Sequence, residues 1–194
     1  AEHYRDYPPQ VMFELLNEPT NNITAPLWNI YIHDALRVIR ESNPTRDVIF
    51  GPVNWNAHDW ISTLDVPDDD HIIVTFHYYL PFQFTHQGAE WVEGSDHWLG
   101  TIWPDNEERK REIARDFELV EDWAQRHQVR ILLGEFGAYS RADMDSRVRW
   151  TEFVRREAER YGFAWAYWEL ASGFGVYDPA AKAWRDDLLK ALIP

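Results

Sequence analysis

The chain has 194 residues and a formal net charge of −14 at pH 7, from 33 acidic and 19 basic side chains. This excess of negative charge argues against a nucleic-acid partner, because phosphates need a basic surface. Hydrophobic residues make up 45% of the chain, enough for a buried core. No apolar run reaches the roughly 18 residues of a membrane span, so we expect no membrane partner. Cysteine is absent, which excludes disulfides, thiolate catalysis and cysteine-bound zinc.

Five short apolar runs are interpreted as strands. Their hydrophobicity is nearly continuous rather than alternating, which is typical of strands covered on both faces. The runs cover residues 11–16, 48–53, 72–77, 131–134 and 163–170. We therefore expect each of them to be buried.

Helical patterns lie between and after these runs. Apolar residues recur there at the three- and four-residue spacing of an amphipathic helix. The predicted helices cover residues 25–41, 57–64, 106–127, 143–161 and 181–193. Strands that alternate with helices predict right-handed βαβ units and a parallel sheet.

Polar and aromatic residues stand at the carboxyl ends of the predicted strands. They include Asn17, Glu18, His77, Tyr79, Glu135, Trp168 and Glu169. In a (β/α)8 TIM barrel the loops at this end of the strands hold the catalytic residues. A doubly wound open sheet binds ligands there too, but normally beside a glycine-rich phosphate turn, and the sequence contains none. The pattern favours an incomplete (β/α)8 barrel with five strands.

The segment 80–104 is longer than a connection in such a barrel requires. It carries the aromatic residues Phe82, Phe84, Trp91, Trp98 and Trp103. Long loops in compact domains are usually functional or disordered, and this one is too aromatic for disorder. We predict that it forms a wall of a substrate cleft. For Trp91, substrate contact and packing within the loop are equally plausible.

Glu18 and Glu135 are the strongest functional signal in the sequence. Pro19 cannot continue a strand ladder, so Glu18 is expected to leave the sheet. Two carboxyl groups in an aromatic cleft suit glycosidic-bond hydrolysis, in which one protonates the leaving oxygen and the other attacks or stabilises the sugar. The alternative for either glutamate is a surface loop residue or a neighbour of a helix N-cap.

Four further residues are candidates for contacts in the same cleft. His77 and Tyr79 are two positions apart on a strand and so share a face. We expect them to hydrogen-bond the carboxylates or a sugar hydroxyl, although a histidine there could be a core residue. Asn17 can bind a substrate hydroxyl without titrating. Trp168 is predicted to be a stacking floor for a sugar ring, with a core position as the alternative.

Other catalytic chemistries find little support in the sequence. The eight histidines are scattered, and the zinc-binding pattern H-E-x-x-H does not occur. The G-x-S-x-G turn of serine hydrolases does not occur either. We therefore expect neither a metal nor another cofactor.

Three motifs resemble those of glycoside hydrolase family 5, the endoglucanase and cellulase family. They are Phe-Glu-Leu-Leu-Asn-Glu-Pro at 13–19, His-Tyr-Tyr at 77–79 and Gly-Glu-Phe-Gly at 134–137. The segments 81–91 and 173–178 look closest to the Thermotoga-type endoglucanases. The resemblance covers nearly the whole chain and implies a retaining mechanism, with Glu18 as acid/base and Glu135 as nucleophile.

The resemblance also implies roles for the neighbouring residues. Asn17 would bind the sugar 2-hydroxyl on the side of the nucleophile, and His77, Tyr79 and Trp168 would complete the site. The peptide bond between Trp168 and Glu169 would be cis.

Members of this family carry three more βα units before the Asn-Glu-Pro strand. The resemblance therefore implies that residues 1–194 are the C-terminal portion of a single catalytic domain, with strands 4–8 of the barrel and no second domain. We expect a complementing partner, either the missing N-terminal segment or a second copy of the chain.

The expected substrate is β-1,4-glucan, with glucomannan as a second polysaccharide, and a polymeric substrate implies secretion. The alternative is a fragment without activity of its own that folds or binds glucan only with a complementing chain.

Overall fold

A computed structural model describes residues 1–104 and 106–194 of the chain. The strands of its main sheet are β1 (Phe13–Glu14), β2 (Val48–Phe50), β3 (Ile72–Tyr78), β4 (Arg130–Phe136) and β5 (Ala164–Trp165). They are hydrogen-bonded in the order in which they occur along the chain. Strand β2 pairs in parallel with both β1 and β3. The predicted five-stranded parallel sheet is confirmed.

The α-helices are α1 (Ala25–Arg40), α2 (Phe82–Thr85), α3 (Glu107–His127), α4 (Met144–Arg160) and α5 (Asp186–Leu192). A further four-residue helical turn, Val53–Asn56, contains the left-handed residues Asn54 and Trp55. Helices α1, α3 and α4 begin and end within one residue of their predicted bounds. The predicted helix 57–64 is a 3-10 helix, His58–Thr63, and further 3-10 turns are Glu2–Tyr4 and Ser95–Trp98. Within the described ranges, every helix is too short or too polar to cross a membrane.

Residue contacts divide the chain into two units. The first contains Ala1–His77 and Leu119–Leu132, and the second contains Tyr78–Glu118 and Leu133–Pro194. The assignment of residues 1–194 to one catalytic domain stays a prediction.

Burial along the strands follows their position in the sheet. All seven residues of the central strand β3 are buried, as its continuous apolar run predicts. The expectation that the run 11–16 is buried is wrong, because Met12 and Leu16 are 44% and 41% exposed. It is also wrong for the run 163–170, in which Trp168 and Leu170 are 45% and 61% exposed. Strands β1 and β5 are the first and last in the sheet order and have fewer neighbours to cover their side chains.

The end of the chain differs from the prediction of a helix over 181–193. Strands β6 (Tyr177–Asp178) and β7 (Ala183–Trp184) form an antiparallel hairpin, and α5 begins only at Asp186. The Asp178 carboxylate accepts hydrogen bonds from the backbone N–H groups of Ala180 and Ala181, each at 3.0 Å. Such local side-chain bonds offer the backbone an alternative to a helix.

In the first unit, α1 buries the apolar side chains Trp28, Ile32, Leu36 and Ile39. The indole N–H of Trp28 donates a 2.8 Å hydrogen bond to the carbonyl of Gly51, just after β2. The helix therefore holds the loop at the carboxyl end of β2.

The buried side chain of Arg46 ties the N-terminal segment to the first unit. Its guanidinium donates to the backbone carbonyls of Tyr4, Tyr7, Pro8 and Val11 at 2.6–2.9 Å. Partly buried carbonyl groups that lose a donor are costly, and a charged donor makes the stronger bond. Arg46 therefore fixes the segment that leads into β1.

The Arg46→Ala variant is expected to lower the free energy of unfolding by about 3 kcal/mol, because several carbonyls lose their donor together. Chemical denaturation measures the change. Arg37→Ala is the control, since Arg37 is exposed and pairs only loosely with Asp34 at 3.3 Å. Equal losses in the two variants would contradict this role of Arg46.

A partly buried ion pair predicts a pH dependence. Arg40 binds both carboxylate oxygens of Asp69, at 2.7 and 2.9 Å, and this hydrogen bonding holds the pKa of Asp69 below its usual 3.8. A carboxyl group with a lowered pKa in the folded state stabilises the protein above its unfolded pKa. That contribution is lost as the pH falls through the folded pKa.

We expect Asp69→Asn to be less stable than the unaltered chain at neutral pH, with the difference shrinking as the pH falls below about 4. Denaturant unfolding at a series of pH values measures this. Asp68→Asn removes the same charge from an exposed neighbouring side chain and should have little effect at any pH. A difference between Asp69→Asn and the unaltered chain that does not change with pH would exclude the linkage.

Candidate active site

Glu18 occupies an unusual backbone conformation four residues after the end of β1 at Glu14. Its φ of 51° is in the left-handed region, which non-glycine residues rarely adopt, and Pro19 follows it. The chain leaves the sheet earlier than the prediction, which placed this point at Glu18, because the strand ends at Glu14. Residues held in such conformations often lie at functional sites.

A hydrogen bond of 2.8 Å joins Oε1 of Glu18 to Nδ1 of His77. The imidazole is almost completely buried, with 4% of its side chain exposed, whereas the Glu18 side chain is 29% exposed. The Glu18 carboxylate is thus hydrogen-bonded to a buried imidazole and still partly exposed to solvent. Its position is held by His77, and a substrate can reach it.

Glu135 has a hydrogen-bonded partner of a different kind. The hydroxyl of Tyr79 donates to Oε2 of Glu135 at 2.8 Å. Glu135 is the penultimate residue of β4 rather than a residue beyond its end, because the strand continues to Phe136. The strand itself therefore holds the Glu135 backbone.

Both partners come from one stretch of chain. His77 lies in β3 and Tyr79 is the residue directly after it. Residues two apart on a strand point to the same side. Each glutamate therefore has a hydrogen-bonded partner within its own unit, His77 for Glu18 in the first and Tyr79 for Glu135 in the second.

Trp168 presents an open aromatic face. Its side chain is 45% exposed, so the core alternative is not what the structure shows. Its backbone N–H donates to the carbonyl of Phe136 at 2.9 Å, and the peptide bond to Glu169 is cis, as the resemblance implies. A β-carbon on Gly137 would lie 2.2 Å from the Trp168 carbonyl oxygen, so only glycine fits at this position.

Trp91 is both packed and exposed. Its ring makes an edge contact with Tyr139 at 5.0 Å and a tilted contact with Phe174 at 6.2 Å. The side chain is nevertheless 61% exposed. Both interpretations of this residue, packing and substrate contact, remain compatible with its position.

Tyr139 is itself held by Glu90, the neighbour of Trp91. Its hydroxyl donates to Oε2 of Glu90 at 2.6 Å. This hydrogen bond lowers the pKa of the Glu90 carboxyl and raises the pKa of the Tyr139 hydroxyl. The support under Trp91 is therefore strongest where Glu90 is ionised.

The loop 80–104 is internally hydrogen-bonded rather than loose. The buried Gln87 side chain donates to the carbonyls of Phe84 and Thr101 and accepts from the N–H of Gly100. Ser95 donates to the carbonyl of Ala89 at 2.8 Å. These bonds keep the loop in one shape, while its role as a cleft wall stays a prediction.

Two residues complete the comparison with the sequence. Asn17 is exposed, and its side chain makes no hydrogen bond within the described ranges. Asn56, which the sequence analysis did not single out, is fully buried with Nδ2 3.3 Å from Nε2 of His77. The one sequence feature that could have pointed to Asn56 is its position two residues after Asn54, in the turn that follows a predicted strand.

A parallel sheet with glutamates fixed at the carboxyl ends of its strands defines a barrel-type hydrolase fold. Residues 1–173 match the Cellulase family, glycosyl hydrolase family 5. The chain belongs to this family. Its five strands and their helices form part of a (β/α)8 barrel, as predicted.

Individual relatives agree with the family. Endoglucanase H of Acetivibrio thermocellus is 33% identical over 99% of this chain and 21% of its own length. The structure of Thermotoga maritima Cel5A with cellobiose is 46% identical, with a TM-score of 0.95 over 98% of this chain and 62% of Cel5A. The structure of the same enzyme with mannotriose is 45% identical, with the same TM-score and coverage. The chain thus spans less than two thirds of these relatives.

The Gly137→Ala variant tests the close approach of Trp168. We expect a loss of about 3 kcal/mol in unfolding free energy, because the added β-carbon collides with a backbone oxygen that cannot rotate away. Gly94→Ala is the control: Gly94 has open space around it and a φ of 75°, so its cost is only conformational, about 1 kcal/mol. A Gly137→Ala variant as stable as the control would contradict the assigned contact.

Proposed function

We propose that the chain is the part of a retaining endo-β-1,4-glucanase that carries both catalytic carboxyl groups. The observation that carries this proposal is the pair of hydrogen bonds from β3 and its next residue, His77 to Glu18 and Tyr79 to Glu135. Membership of glycosyl hydrolase family 5 supports the reaction class.

The first step uses the two glutamates in opposite roles. Glu135 attacks the anomeric carbon as a carboxylate, while Glu18 gives its proton to the leaving glycosidic oxygen. The bond between the anomeric carbon and that oxygen breaks, and a glycosyl ester forms on Glu135. Tyr79 orients the nucleophile through its hydrogen bond.

The second step reverses the role of Glu18. The ionised Glu18 removes a proton from water, and the resulting oxygen attacks the anomeric carbon and displaces Glu135. Two displacements at one carbon retain the β configuration. This mechanism requires carboxyl groups about 5–5.5 Å apart, against about 6.5–9.5 Å for inversion.

The substrate is proposed from the exposed side chains and from the relatives. Trp168 and Trp91 offer flat surfaces for sugar rings, and Asn17 offers an amide for a hydroxyl. A neutral polysaccharide is not repelled by the net charge of −14. We assign β-1,4-glucan as the main substrate and glucomannan as the second, since the Cel5A structures contain cellobiose in one case and mannotriose in another.

The activity is proposed to need the rest of the family's fold. The chain spans 62% of Cel5A, and β1 at the end of the sheet order leaves Met12 and Leu16 exposed. Exposed apolar residues beside an edge strand favour a covering element. We propose an N-terminal barrel segment, or failing that a second copy, in this role. Because the substrate is a polymer, we also propose secretion.

Hydrolysis of carboxymethylcellulose tests the assignment. Glu135→Gln is expected to abolish activity, and Glu18→Gln to reduce it by about 10²- to 10⁴-fold through loss of acid/base catalysis. Glu14→Gln, an exposed glutamate on β1, is the matched control and should retain activity.

The same assay separates the enzyme from its alternative. It is carried out on this chain alone and on this chain together with the N-terminal segment. Activity in either form that survives Glu135→Gln would overturn the mechanism. Glucan binding without hydrolysis in both forms would favour a non-catalytic binding module.

A further inference from the structure

Asn56 lies behind His77, on the opposite side of the ring from Glu18. It is fully buried, and its amide nitrogen is 3.3 Å from Nε2 of His77. The Nδ1 atom of the same ring is 2.8 Å from Glu18. Asn56, His77 and Glu18 therefore form one continuous chain of hydrogen bonds within the first unit.

The turn that delivers Asn56 has a backbone conformation that is uncommon for ordinary residues. Asn54, Trp55 and Asn56 follow one another with φ values of 63°, 61° and 54°. Asparagine tolerates the left-handed region better than most residues. Three such residues in succession persist only where the surroundings hold them, as is frequent at functional sites.

The two ends of the Asn56 amide face different neighbours. The oxygen Oδ1 lies on the side of Gly51, where an added β-carbon would come within 2.6 Å of it and within 2.5 Å of the Thr75 carbonyl oxygen. Within the described residues Oδ1 has no hydrogen-bond donor. The amide nitrogen is the atom that faces Nε2 of His77, and an amide NH₂ can donate but not accept.

The amide nitrogen is therefore a donor to His77, and Nε2 must be unprotonated to accept. A neutral imidazole carries one proton, which then resides on Nδ1 and is donated to Glu18. We propose that Asn56 is a positioning residue that fixes His77 as its neutral Nδ1–H tautomer and so orients Glu18; its catalytic meaning rests on the function proposed above.

This tautomer suits a carboxyl group that must change its protonation state. A neutral N–H donor can bond Oε1 of Glu18 whether the other oxygen is protonated or ionised. An imidazolium would instead favour the ionised carboxylate throughout and oppose the acid step. The arrangement leaves Oε2 of Glu18 to exchange the proton with the glycosidic oxygen and then with water.

The tautomer can be observed directly in protein with ¹⁵N-labelled histidine. Two-bond ¹H–¹⁵N correlation spectra near neutral pH distinguish the two tautomers and the doubly protonated ring, and His77→Gln assigns the signals. We expect Nδ1 of His77 to be protonated and Nε2 to be unprotonated. A proton on Nε2, in either the other tautomer or the imidazolium, would overturn the proposal.

Asn56→Asp tests the role of the amide with nearly the same shape. A carboxylate cannot donate to Nε2 but accepts from it, so the Nε2 signal should move to that of a protonated nitrogen. Asn54→Asp adds the same charge in the same turn and should leave the His77 signals unchanged. Identical His77 spectra for Asn56→Asp and the unaltered chain would contradict the proposal.

A kinetic readout links the tautomer to the reaction. In the form that hydrolyses glucan, Asn56→Asp should lower kcat by about tenfold or more, since acid/base catalysis is impaired, with little change in KM. A rise in KM alone would contradict a positioning role. If no form hydrolyses glucan but the tautomer is as expected, the proposed function fails and the control of His77 by Asn56 stands.

Discussion

Strand β3 is the element on which the arrangement of the site depends. All seven of its residues are buried, and its register is set where Ile72 pairs with Val48 of β2. A shift in strand pairing by one residue would turn the His77 side chain to the opposite face of the sheet. The pairing of the buried strand therefore determines the face on which His77 lies. His77 and Tyr79 then contact Glu18 and Glu135 from one stretch of three residues. Within each unit, the carboxyl group is therefore held by a partner that lies in or directly after a fully buried strand.

Buried donors inside the molecule hold the loops that surround the strand ends. Arg147 donates to the carbonyls of Ala138 and Phe174, and burial lowers the pKa of its guanidinium. Tyr167 donates to the same Phe174 carbonyl at 2.9 Å, and burial raises the pKa of its hydroxyl. Arg147 and Tyr167 therefore hold the segment after Trp168 through its Phe174 carbonyl. Arg46 holds the segment before Glu18 in a similar way, through backbone carbonyls. Exposed aromatic rings can then be presented on a backbone that is already ordered.

Much of the fold could be predicted because its signals are local. Continuous apolar runs identified the five strands, and helical spacing placed three helices within a residue of their ends. The helix predicted over 181–193 was wrong because the hydrogen bonds of the Asp178 carboxylate favour a hairpin. The spacing of apolar residues, on which the prediction was based, carries no information about such side-chain bonds. The burial expected around Met12 was wrong for a different reason, since it depends on where β1 lies in the sheet.

The positions of the candidate site residues also follow from local signals, while their roles stay predictions. Glu18, His77, Tyr79 and Glu135 stand at strand ends in the sequence, and the structure gives each of them a hydrogen-bonded partner. Asn56 could not be found in this way, because its contact with His77 depends on three successive left-handed residues and on the absence of a side chain at Gly51.

The central claim is that Glu135 is the nucleophile of a retaining glucanase, and covalent trapping tests it most directly. The chain, with its N-terminal segment where hydrolysis requires one, is incubated with an activated 2-deoxy-2-fluoro-β-cellobioside and digested for peptide mass spectrometry. The fluorine slows breakdown of the glycosyl ester, so the account predicts one cellobiosyl label, on Glu135. A label on Glu18, or hydrolysis with inverted configuration and no trapped ester, would contradict it.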